Sequence, residues 1–214
     1  MPDFSHYGWN GTRYIDLETG RFVSAKTVRD VLESTIDVSA LRMNNLTEQL
    51  TKGSISLVDW RTGMMQQIKI AHVAAGAAAN GGFAQMTQSE WGAVGQQIRT
   101  QYKHLNNFAT QISNGEQPLN GKALIRSDMF GDAARGTFEQ MERRLQISNG
   151  FEEERRVLED KLNNCDGCLE QAELSWQPIG TLDPIGSEEC TTRCRCEFEY
   201  RRVGANGEME MSEE

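Results

Sequence analysis

At 214 residues, 38% hydrophobic and 25% charged, the chain is long enough to bury a core of its own and does not need disulfides to fold. Its formal net charge of -9 sets the surface as a whole against phosphate backbones and anionic membranes, which disfavours sequence-wide nucleic-acid binding. Four prolines and a mean hydropathy of -0.57 fit a soluble, helix-rich globular protein.

The opening residues, MPDFSHYGWNG, lack a basic segment followed by an apolar one, so no secretory signal is expected. Residues 1–23 carry Phe4, Tyr7, Trp9, Tyr14 and Phe22 and two β-prone runs around Asp16–Gly20, the pattern of a small hairpin or extended arm. Such an arm either docks on a neighbour or folds back over the helices that follow. From Ser24 the spacing becomes helical: Val28, Leu32, Ile36, Met43, Leu46 and Leu50 mark a first helix that stops at Gly53. Ser56 with Asp59 starts a second, whose stripe Leu57, Trp60, Met64, Ile68, Ala71, Ala75 and Ala78 turns alanine-rich and invites close approach by another helix. Its most apolar stretch, Ile70–Ala79, is too short to span a bilayer.

Thr87 and Glu90 form a capping box for a third helix, with Trp91, Val94, Ile98, Tyr102, Leu105, Ala109 and Ile112 on one face up to the SNG turn at 113–115. A fourth, Gly121 to Leu145, ends at a second SNG at 148–150, and Gly131 and Gly136 weaken its continuity. The charged run 151–163, FEEERRVLEDKLN, reads as helical. Arg143, Arg144, Arg155 and Arg156 interleave with Glu139, Glu142 and Glu152 to Glu154, which reads as a solvated helix face laced with ion pairs. RCEFEYRRV alternates like a strand, and the acidic tail 204–214 reads as mobile.

All five cysteines lie in the last quarter of the chain, in NNCDGC and CTTRCRC. The C-x2-C pair Cys165 and Cys168 has the spacing with which two thiolates reach one tetrahedral zinc ion; Cys194 and Cys196 supply a second pair, with Cys190 as an alternative ligand. Zinc binding would help to fold a segment poor in large apolar residues. Disulfides are the competing reading, though five cysteines leave one unpaired, and free thiols or a redox-active CDGC are further alternatives. No enzyme is expected. His6, His72 and His104 are scattered, His72 reading as a core or interface residue, and no phosphate loop, H-E-x-x-H or G-x-S-x-G occurs.

The succession GDAARGTFEQMERR, a charged segment, CDGC, a loop with PIG and then CRCEFEYRR resembles the C-terminal part of the tailed-phage minor head proteins, the Mu-type head morphogenesis family. Ala134, Arg135, Thr137 and Glu139 stand where that family has an Ala-Arg-Thr-Glu-like helix, and Cys165, Cys168, Cys194, Arg195 and Cys196 match its cysteine motif. The resemblance spans about residues 130–202. Gly136 interrupts the helix motif, and TTRCRC stands in place of the family's His-Pro-x-Cys-Arg-Cys, so no histidine ligand carries over.

The expectation is therefore a mainly α protein: an N-terminal arm at 1–23, a helical bundle at 24–147, a small cysteine-held, zinc-knuckle-like α/β module at 151–203 and a tail at 204–214. The resemblance implies a virion component, made in the host cytoplasm, that acts in head assembly beside portal, capsid or connector proteins and is oligomeric in the particle. No membrane and no sequence-specific nucleic acid are expected as partners. A zinc-binding cytoplasmic adaptor or regulator is the alternative.

Overall fold

The computed structural model describes residues 6–10, 13–159, 164–203 and 209–211. Phe4, the linker at 160–163 and most of the acidic tail lie outside the described residues. Three short strands, β1 (Tyr7–Trp9), β2 (Tyr14–Asp16) and β3 (Phe22–Val23), form an antiparallel meander. Asp16 Oδ1 accepts the backbone N–H groups of Glu18 and Thr19 at 3.0 and 2.7 Å, which makes the tight turn between β2 and β3. Trp9 meets Tyr14 edge to face at 4.9 Å, and Tyr14 is buried in the bundle core, so these rings fold back over the helices while Phe22 stays exposed.

Four long helices follow: α1 (Ala25–Thr51), α2 (Leu57–Ala79), α3 (Gln88–Ser113) and α4 (Gly121–Ser148). Each begins where a polar side chain satisfies a free N–H: Ser24, Ser56, Thr87 and Asn120, with the reciprocal Thr87–Glu90 box complete. Helices α1, α2 and α4 pack on one another, and α3 lies chiefly along α2. One apolar centre joins Val28, Leu32 and Ile36 to Ala71–Ala79, Phe138 and Met141; the other gathers Met43, Trp60, Met64, Leu105, Phe108 and Phe130. Full burial of side chains as large as Trp60 or Met64 contributes ~1.5–3 kcal/mol each.

Helix α4 is unbroken, contrary to the expectation drawn from its glycines. A Cβ at Gly131 would stand 3.1 Å from the Cβ of Ala40, so α1 and α4 approach closely at this glycine. Its missing side chain is used for packing and does not break the helix.

The run 151–157 is not a helix. Glu153–Val157 forms β4, which pairs antiparallel with β6 (Glu197–Val203). The sheet order is β5-β4-β6-β7, with β5 at Gln177–Pro178 and β7 at Met209–Met211. In β4 the inward residues are charged: Glu154 and Arg156 are buried while Glu153, Arg155 and Val157 are half-exposed, so the period of two exists but not in hydrophobicity. The solvated-face reading fails for the same reason, since Glu139, Glu142, Glu154 and Arg156 are all buried. Part of the tail expected to be mobile, Met209–Met211, adds an edge strand to this sheet.

The module is fastened to the bundle along α4. Arg143 forms an ion pair with the fully buried Glu154 at 2.8 Å, donates to the Leu182 carbonyl at 3.1 Å and covers the Phe198 ring at 4.3 Å. Glu154 Oε1 also accepts from the backbone N–H groups of Gly180 and Leu182 at 3.0 and 3.2 Å, which anchors the proline loop. Among the described residues, no helix is long and apolar enough to cross a membrane.

Candidate metal centre

Cys165 caps the short helix α5 (Asp166–Glu173) and Cys168 lies in its first turn, so the three-residue spacing puts both sulfurs on one side. The other three come from the chain that returns to β6. Cys190 and Cys194 bracket a single 3-10 turn, Thr191–Arg193, and Cys196 directly precedes the strand. Thr191 sits at φ 49, a left-handed conformation that a β-branched residue adopts only when its surroundings impose it. On either side of this turn the sulfurs of Cys190 and Cys194 both approach that of Cys168.

All five thiols are free, and they form two overlapping trios, Cys165–Cys168–Cys190 and Cys168–Cys194–Cys196, with ligand atoms within 4.8 Å of one another in each. Cys168 is the shared corner: its sulfur lies 3.6 Å from that of Cys190 and 3.7 Å from that of Cys194. A zinc–sulfur bond of about 2.3 Å in a tetrahedron sets sulfurs about 3.8 Å apart, whereas a disulfide closes them to about 2.05 Å. Clustered in this way, the cysteines could hold a metal ion.

The surrounding charges fit thiolate ligands. Arg156 is buried, its guanidinium donates to the Cys168 sulfur at 3.3 Å and to the Asp183 carbonyl, and among the described residues it has no carboxylate partner. A buried guanidinium is stabilised by a counter-charge, and among the described residues the acidic groups it touches are the cluster's thiols. Without metal, hydrogen bonding from Cys196 draws the Cys194 thiol down, burial pushes Cys168 and Cys190 up, and the bond to Cys194 pushes Cys196 up.

Of the expected set, Cys168, Cys194 and Cys196 share one trio, whereas Cys165 is grouped with Cys168 and Cys190. Cys196 turns its sulfur toward the Asn164 side-chain oxygen at 3.8 Å. His72 is apart from the cluster. It is buried between α2 and α4 with Nδ1 2.7 Å from the Thr137 hydroxyl, and burial lowers its pKa to about 4, in keeping with a core residue. Sequence reasoning missed Arg156 and Glu154, which it assigned to an exposed helix; two charged residues at i and i+2, ahead of a C-x2-C, were the available signal.

Helix α4 and the Cys-Arg-Cys turn share one partner. Arg135 of α4 and Arg195 of the Cys-Arg-Cys turn each ion-pair with Glu33 of α1 at 2.7 Å. No family model, no curated protein and no solved structure matches this chain.

Proposed function

We propose that Cys165, Cys168, Cys190 and Cys194 hold one structural zinc ion that clamps the C-terminal module, and that the protein is a non-enzymatic component of a tailed-phage head or connector. The observation that carries the zinc reading is the convergence of five free, largely buried thiols around Cys168 beside a buried arginine. Cys190 is taken in place of Cys196 because its sulfur lies 3.6 Å from that of Cys168, whereas Cys196, a member of the second trio, also donates to the Asn164 side-chain oxygen. Bound zinc would supply folding free energy to a segment with few large apolar side chains, and four thiolates would leave no open position for a substrate.

The head reading rests on the resemblance of residues 130–202, and the shared Glu33 contact of Arg135 and Arg195 supports it by giving the two motifs one structural purpose. Two experiments test the pair of readings. Serine substitution of Cys165, Cys168, Cys190 or Cys194 is expected to abolish zinc binding while Cys196→Ser retains it; zinc retained in Cys190→Ser and lost in Cys196→Ser would restore the set with Cys196. Quantitative mass spectrometry of purified particles should find the chain at fixed stoichiometry, and its absence would favour the cytoplasmic adaptor.

A further inference from the structure

Positive charge is gathered on one face of this acidic chain. Between residues 60 and 115 stand Arg61, Lys69, Arg99 and Lys103 with a single acid, Glu90, whose carboxylate is taken up by the capping box of α3. Helices α2 and α3 run antiparallel: a Cβ on Gly76 would strike Val94, the Tyr102 hydroxyl donates to the Met65 carbonyl at 3.0 Å, and Trp60 meets Phe108 edge to face at 5.3 Å. In that register Lys69 lies across from Arg99, and Lys103 falls between Lys69 and Arg61. All four cations are exposed, and among the described residues none of them has a carboxylate partner. Val58, 65% exposed, lies one turn before Arg61 on the same side of α2.

The complementary charge lies on α5. Asp166, Glu170 and Glu173 recur at helical spacing and share one face, and Leu169 and Leu174, 41% and 51% exposed, stand on that same face. The three carboxylates are exposed and have no cation partner among the described residues. Beside the first turn, Glu189 adds another carboxylate, which accepts from the Gly167 N–H at 3.3 Å. Asp166 to Glu173 covers about 10 Å along its helix and Arg61 to Lys69 about 12 Å along α2, so the acidic and basic rows match in length. Within one chain both faces stay open and unpaired, so they can meet only between chains. A row of carboxylates flanked by two leucines fits a groove walled by cations on both sides, and opposite potentials of this kind steer encounter and fix register.

We propose that the basic face of α2 and α3 receives the α5 face of a second copy of this chain in a salt-sensitive, head-to-tail contact. The two sides are different surfaces, so every molecule keeps one of each, and the contact propagates into a ring or filament instead of stopping at a two-fold dimer. The inference rests on neither the zinc nor the head reading.

The test is sedimentation velocity of the full-length protein over a concentration series, at about 50 mM and about 500 mM salt. Wild type is expected to self-associate at the lower salt and at least tenfold more weakly at the higher. Lys69→Glu with Lys103→Glu removes the basic face, and Glu170→Lys with Glu173→Lys removes the acidic one. Each double variant alone should stay monomeric, whereas an equimolar mixture should associate again, because an intact basic face then meets an intact acidic one. Where a pair does not fold, as judged by its melting curve, Lys103→Glu or Glu173→Lys alone takes its place. Wild type monomeric at every concentration, association that survives in either variant, or a mixture that stays monomeric would overturn the proposal. Wild type that assembles only when duplex DNA is added would overturn it as well and give the basic face to a polyanion.

Discussion

The bundle and the cysteine module bury very different things. Between Ala25 and Ser148 the interior is built from apolar stripes, and charges enter only where α1 faces α4 or the module. In the module, Phe198, Tyr200, Leu182 and Ile185 are the large apolar members of a centre otherwise made of sulfur, and Glu154 and Arg156 are buried beside them. A helix in the first region is fixed by dispersion and hydrophobic burial spread over many residues, so no single side chain decides it. The second depends on a few strong, directional contacts, and losing one of them leaves a buried charge or an unpaired thiol.

Breaking the module should therefore have the larger and more local effects. Cys168→Ser removes the corner shared by both trios and is expected to release the metal and expose residues 164–203 to hydrogen exchange, while far-UV circular dichroism keeps most of the helical signal. Collapse of the whole fold would show instead that the bundle depends on the module. Next in size, Glu154→Ala strands Arg143 and frees the Gly180 and Leu182 amides, and should cost ~3–5 kcal/mol in urea unfolding. An effect below ~1 kcal/mol would mean that water replaces this contact readily.

The bundle has a pH-sensitive point in His72. Its pKa in the folded state is lowered to about 4, so the unfolded chain takes up the proton first as the medium is acidified. The sign follows: stability from this residue is complete above the unfolded value of about 6.5 and is lost as pH falls toward 4, by about 3 kcal/mol in total. Glu139 and Glu142, raised by burial, act in the opposite sense, so the informative quantity is the difference between wild type and His72→Gln over pH 7 to 4. A constant difference would contradict a buried neutral imidazole. The smallest effect is expected at Gly136, where an added Cβ would meet only the Ile185 carbonyl at 3.4 Å. Gly136→Ala should raise stability by roughly 0.5–1 kcal/mol in thermal melts through helix propensity, whereas Gly131→Ala should lower it because Ala40 is in the way.

The same contrast explains how much could be read from the residues. The helical bundle was legible because its stripes and caps are local signals: Ser24, Thr87 and the apolar spacing of Val28, Leu32 and Ile36 state their own structure. The strand at Glu153–Val157 was not, because its inward residues are Glu154 and Arg156, whose burial depends on Arg143 and Cys168 elsewhere in the chain. That the cysteines could cluster was visible from their spacing, but which of them touch was not. The position of Cys190 follows from the turn at Thr191, which brings it back onto Cys168.

The central claim is that the sulfur cluster is a structural zinc clamp, and its most direct test is metal content with a thiol count on protein purified without added metal or reductant. The account predicts about one zinc per chain, with no more than one reactive thiol before chelation and five after it. Protein free of metal with a single free thiol would contradict it, making the cluster two disulfides and moving the mature protein to an oxidising environment.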